Sequence, residues 1–280
     1  MKPPAQHPES YVVLPQGPHK QTVIILHGLG SNGRDFGTAL LETALPDGTT
    51  LRDALPNAKF VFPTALFRRS TMAKRVRLTQ WFDIANLEEP SRRADLQVEG
   101  LVETTTFIHN LLQSEMDVVG PANVALGGLS QGCAAALVAL LLWPGRDVQA
   151  AFGMSGWLPF QDLLVATDQP ESEDPTDSVF ETAEEEPMSP PERAITELRE
   201  MLDWKPNQDT AAKIPSTPIF LGHGAEDPKI AIRHGEDAAK ALSSLGIQVE
   251  WHSYDGLGHW YSAEELADLL RFLRERGFHD

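Results

Sequence analysis

The chain has 280 residues, 41% of them hydrophobic and 22% charged, the composition of an ordinary globular protein. Its net charge of −17 argues against the phosphate neutralisation that nucleic-acid binding requires, and against adsorption to anionic membranes. The single cysteine, Cys133, excludes an intrachain disulfide and a cysteine-based zinc site, and fits a reducing compartment.

The stretch Met1 to Pro8 lacks the apolar core of a signal peptide, and Lys2 excludes N-myristoylation. The longest apolar run, Cys133 to Trp143, has 11 residues, too few to span a bilayer. The expectation is a cytoplasmic protein with no stable membrane anchor.

Along the chain, short apolar runs alternate with helix-like stretches, the pattern of a mostly parallel sheet flanked by helices. Thr22 to Leu26 reads as a buried strand ending near Gly28, and Lys59 to Phe62 as a second, stopped by Pro63. Apolar residues at Leu96, Leu101, Ile108, Leu111 and Leu112 predict an amphipathic helix over 94–114. Asn123 to Leu126 is the next strand, Cys133 to Leu142 a buried helix and Ala150 to Met154 a further strand. Strands over 218–221 and 249–254 follow, and a helix from Ala263 to about Arg274 closes the chain.

One segment breaks this rhythm. Asp168 to Glu192 holds ten acidic residues and five prolines without a single Lys or Arg. With so few apolar groups it has little to offset its ordering entropy, which predicts a mobile insertion within a single domain. The wider stretch 161–213 has 15 acidic and four basic residues, so most of the acidity belongs to the insertion. Ser189 and Glu192 stand at capping-box spacing ahead of an apolar stripe at Ile195, Leu198 and Leu202. That helix either packs on the domain or acts as a lid.

Gly128-Leu129-Ser130-Gln131-Gly132 is a G-x-S-x-G sequence lying between a predicted strand and a predicted helix, where a nucleophile elbow belongs. A serine hydroxyl needs a base, and in this architecture an acid and then a histidine follow the nucleophile, each after its own strand. Asp227 and His259 satisfy both conditions. Glu226 and Asp255 are rival carboxylates, while His223 and His252 read as structural histidines and Cys133 as a packed residue. The second oxyanion donor is expected from His27-Gly28-Leu29-Gly30, with the Leu29 N–H beside that of Gln131. The run Gly28 to Gly33 also matches G-x-G-x-x-G with Asp47 downstream, so a nicotinamide-dependent oxidoreductase is the competing reading. A binding protein on a hydrolase scaffold is another, although no triad member is missing. Neither a metal-ligand motif nor a phosphate loop is present, and the hydrolase reading requires no metal or other cofactor.

Together these residues resemble the acyl-protein thioesterase / phospholipase-carboxylesterase family of α/β-hydrolases. The matching blocks are Ile25 to Gly30, Gln80-Trp81-Phe82-Asp83-Ile84, Gly127 to Gly132, Ser155-Gly156-Trp157-Leu158-Pro159, Gly222-His223-Gly224 with Asp227-Pro228, and Tyr254 to His259. The resemblance implies an α/β-hydrolase fold and cleavage of acyl esters or thioesters, with S-acylated proteins and lysophospholipids among the substrates. It also implies that Trp81, Trp157 and Leu158 contact substrate and that the 68–81 region helps to form an acyl pocket. The chain departs from the family in the basic run Arg68, Arg69, Lys74, Arg75 and Arg77, in Ser31, and in the acidic insertion. The basic run reads as a solvated face, with pairing to the insertion as the alternative.

Overall fold

The structure, a computed structural model, describes residues 6–165, 188–205 and 212–279. Nine strands are present among them: β1 Tyr11–Val13, β2 Gln21–Leu26, β3 Ala58–Phe62, β4 Phe67–Arg69, β5 Arg77–Thr79, β6 Val124–Leu129, β7 Ala150–Met154, β8 Ile219–Gly224 and β9 Val249–Tyr254. The helices are α1 Gly33–Glu42, α2 Leu51–Ala54, α3 Val98–Val119, α4 Gln131–Leu141, α5 Gln161–Leu164, α6 Pro190–Met201, α7 Arg233–Ser244 and α8 Ala263–Arg274. Seven strands form one sheet in the order β1-β3-β2-β6-β7-β8-β9, parallel except for β1, while β4 and β5 form a separate hairpin.

The expected α/β-hydrolase architecture is present, and its core explains why the central strands lack polar alternation. All six residues of β2 are buried, with Val23 and Ile25 in one core layer and Ile24 and Leu26 in the other. A strand covered by helices on both faces is apolar throughout. The first layer includes Phe36 and Leu40 of α1 with Leu266 and Leu269 of α8; the second includes Leu101 and Ile108 of α3 with Leu137 of α4. Helix α4, buried at every position, is correspondingly apolar all round.

Several boundaries differ from the sequence expectation. The helix predicted over 94–114 is a short 3₁₀ turn at Ala94–Leu96 followed by α3, which continues to Val119 and stops at Gly120 with φ 81°. Strand β6 runs on to Leu129 because Gly127 and Gly128 pair with β2 on one side and β7 on the other. The missing side chain at Gly127 is replaced by the Phe152 ring, which an added Cβ would meet at 2.4 Å. The three-residue edge strand β1 and the hairpin β4–β5 carry no apolar run long enough to announce them.

Most of the acidic stretch lies outside the described residues, and so does the expectation that it is mobile. Its last part is α6, which begins with the expected capping box between Ser189 and Glu192. Ile195, Leu198 and Leu202 are all buried in the main core. The helix therefore packs on the domain, as the plainer of the two expectations had it.

Candidate active site

Ser130 occupies the turn between β6 and α4 with φ 56° and ψ −120°, a backbone conformation that side-chain-bearing residues rarely adopt. Two glycines permit the turn. An added Cβ at Gly128 would lie 2.4 Å from the Gly132 carbonyl carbon, and one at Gly132 would lie 2.3 Å from the Leu26 carbonyl oxygen. The Ser130 N–H donates to the Met154 carbonyl at 2.8 Å, tying the turn to β7.

Two later strand ends complete the constellation. His259, after β9, accepts from Ser130 Oγ at its Nε2 (2.9 Å), and its Nδ1–H donates to Asp227 Oδ2 (2.7 Å). Asp227, after β8, accepts at Oδ1 from the N–H groups of Lys229 (2.8 Å) and Ile230 (3.0 Å). Burial by itself would raise the Asp227 carboxyl. Hydrogen bonds from His223, His259, Ile230 and Lys229 outweigh it and hold the group well below the usual carboxylate range, so it is charged. Glu226 and Asp255 are both exposed to solvent, and neither is a hydrogen-bond partner of His259.

The Gly28–Leu29 loop lies against the turn, where an added Cβ at Gly28 would be 3.5 Å from Ser130 Cβ. Neither the Leu29 N–H nor that of Gln131, the first residue of α4, finds an acceptor among the described residues. Free N–H groups at a helix start beside a nucleophile are suited to a developing oxyanion. The Gln131 side chain is pinned, accepting from the Trp81 N–H at 3.0 Å and donating to the Phe82 carbonyl at 2.8 Å.

The cleft over Ser130 has a volume of about 320 Å³. Leu29, Phe36, Leu129 and His259 form its walls, with Met72, Leu87, Lys229 and Trp260 at its rim. Met72 belongs to the turn of the β4–β5 hairpin, which Asp83 anchors by accepting from the Thr71 N–H at 2.8 Å. Thus the 68–81 region reaches the cleft through Met72. The expected contact residue Trp81 does not; it is fully buried and its indole N–H donates to the His27 carbonyl at 2.7 Å. Trp157 and Leu158 are also buried and border a different cavity of about 480 Å³. Of the cleft residues missed in sequence, Trp260 and Lys229 were signalled by standing one and two positions after His259 and Asp227. Phe36, Met72 and Leu87 carried no comparable signal.

The rival assignments find other uses in the structure. Cys133 is buried, which pushes its thiol up to about 12 and leaves it unreactive. Asp47 is exposed and accepts from the Thr49 N–H at 2.9 Å within its own turn. In the basic hairpin, Arg68 pairs with Glu103, while Arg69, Lys74 and Arg75 face solvent. Among the described residues, no helix is long and apolar enough to cross a membrane.

The phospholipase/carboxylesterase family model matches residues 7–169 and 202–276, skipping a segment that overlaps the acidic stretch. An acyl-protein thioesterase 1 from Gibberella zeae is 28% identical over 92% of this chain and 91% of its own length. Carboxylesterase SOBER1 of Arabidopsis thaliana is 26% identical, covering 91% of this chain and 90% of its own. The crystal structure of Zea mays acyl-protein thioesterase 2 superposes with a TM-score of 0.65 at 26% identity, covering 96% of this chain and 98% of that one. By sequence and by fold, the chain belongs to the phospholipase/carboxylesterase family of α/β-hydrolases.

Proposed function

We propose that the protein is a serine hydrolase that cleaves acyl esters and thioesters through an acyl-enzyme on Ser130, with His259 as base and Asp227 as its orienting acid. The observation that carries this reading is the unbroken hydrogen-bonded line from Ser130 Oγ through His259 to Asp227 at the floor of an apolar cleft. Attack on the acyl carbonyl passes the Ser130 proton to His259 Nε2, while the N–H groups of Leu29 and Gln131 hold the oxyanion. His259⁺, stabilised by Asp227, returns that proton to the departing alcohol or thiol. Water then gives a proton to His259 and its oxygen to the acyl carbon; His259⁺ returns that proton to Ser130 Oγ as the acyl–Oγ bond breaks, releasing the carboxylic acid and restoring Ser130.

Phe36, Leu129 and Met72 in the cleft favour an aliphatic acyl group, each buried CH₂ contributing about 0.8 kcal/mol. The names of the thioesterase relatives support S-acyl cysteines of proteins as substrates, and the family's description supports lysophospholipids. The sheet draws β7 and β8 from the two sides of the acidic stretch, which supports reading the chain as one hydrolase domain. A single buried cysteine supports a cytoplasmic, reducing compartment.

The test is Ser130→Ala, assayed with acyl esters and acyl thioesters of increasing chain length. Turnover of both is expected to fall by about 10⁵-fold or more, together with loss of fluorophosphonate labelling. Turnover that survives in this variant overturns the assignment.

A further inference from the structure

His223 is the fifth residue of β8 and has no exposed surface. Its Nε2 lies 2.9 Å from the carbonyl oxygen of Ile230 and 3.4 Å from Asp227 Oδ2. Both neighbours are acceptors, so Nε2 carries the proton, and in the neutral ring Nδ1 is the lone-pair nitrogen. Nδ1 has no hydrogen-bond partner among the described residues and faces Gly235, where an added Cβ would stand 2.6 Å away. Beside it lies a cavity of about 10 Å³ lined by His223, Gly235, Cys133 and Gly153.

The contacts of Nε2 are arranged around the triad acid. Ile230 donates its N–H to Asp227 Oδ1 at 3.0 Å while its carbonyl accepts from His223. One buried imidazole therefore hydrogen-bonds the Ile230 end of the turn and stands 3.4 Å from the Asp227 carboxylate at the other. The opposite oxygen, Oδ2, accepts from His259 at 2.7 Å and has His223 Nε2 as its second imidazole neighbour at 3.4 Å.

We propose that His223 is a positioning residue of the hydrolytic reaction, its Nε2–H fixing the Asp227 carboxylate at the angle from which it orients His259. The inference rests on the serine-hydrolase reading and extends it from three residues to four. Misplacing a catalytic group by about 1 Å costs about 100-fold.

In His223→Leu, kcat is expected to fall about 100-fold with KM within threefold, because His223 touches no surface of the substrate cleft. In His223→Gln the amide N–H₂ still reaches the same acceptors, and kcat should return to within tenfold of the parent. A folded His223→Leu retaining more than half of the parental kcat overturns the inference, and so does a Gln variant as slow as the Leu variant. A readout independent of the variants is the long-range ¹H–¹⁵N spectrum of the parent protein. It should place the His223 proton on Nε2, and a proton on Nδ1 defeats the proposal. Ser130→Ala run alongside separates the two readings. If that variant still turns over substrate, the triad itself fails; if it is dead while His223→Leu is undiminished, only the role of His223 fails.

Discussion

The floor of the cleft and its rim meet at the Ser130 hydroxyl and are built in different ways. The floor is made of strand ends. Ser130 follows β6, Asp227 follows β8 and His259 follows β9, so the spacing of parallel strands sets their relative positions. The rim is made of side chains from the β4–β5 hairpin, the loop holding Leu87, the turn after Asp227 and the residue after His259. Any chain that closes this sheet assembles the floor, whereas the rim depends on where separate loops happen to lie. On the proposed reading, chemistry belongs to the first region and substrate choice to the second.

Adjacent carboxylates of opposite burial give the sharpest test of the floor. Asp227→Asn removes the acceptor that fixes the His259 tautomer, and kcat is expected to fall on the order of 10⁴-fold. Glu226→Gln alters an exposed side chain one position away and should leave kcat within twofold. A reversed outcome in steady-state esterase kinetics identifies Glu226 as the acid.

A buried carboxyl packed against β8 tests the stability of the sheet that carries the floor. Glu265 of α8 is fully buried against Gly222, and neither carboxyl oxygen has a partner among the described residues. Burial pushes its pKa up to about 8. The folded state therefore retains a proton that the unfolded chain, with an ordinary Glu near 4.3, releases. This contribution to stability is fully present below the unfolded pKa and is lost as pH rises from about 4.5 to 8, a swing of roughly 4 kcal/mol. Glu265→Gln should flatten that slope, narrowing the difference in Tm between pH 5 and pH 8 by several degrees. An unchanged slope in thermal unfolding rules the group out as its source.

The difference between floor and rim also accounts for what the sequence disclosed. The elbow was legible because strand, glycines, serine and helix are consecutive, and the acid and histidine because each ends its own apolar run. Trp81 was legible as important but not in its role. Its motif does not reveal that the indole turns inward and donates to the carbonyl of His27, the residue before Gly28. Cleft contacts such as Phe36 and Met72 become neighbours only through tertiary packing, and no local period encodes that. His223 reads as an ordinary core histidine until the Asp227 turn folds over it.

The rim itself is tested by a pair of tryptophans. Trp260 is 46% exposed at the cleft mouth, its ring edge-on to Phe36 and stacked on Tyr261 at 4.9 Å between ring centroids. Trp157 is buried, edge-on to Phe82 and beside a separate cavity. Truncating Trp260 to Ala strips apolar surface from the acyl path, so KM for long acyl chains should rise about tenfold, equivalent to about 1.4 kcal/mol. Short-chain esters, which do not reach the mouth, should be hydrolysed as before, and Tm should hardly move. Trp157→Ala opens a core cavity and is expected to cost about 3–5 kcal/mol of stability while leaving the chain-length profile intact. If Trp157→Ala instead shifts that profile and Trp260→Ala does not, the acyl chain runs through the 480 Å³ cavity beside Trp157 and not over the rim.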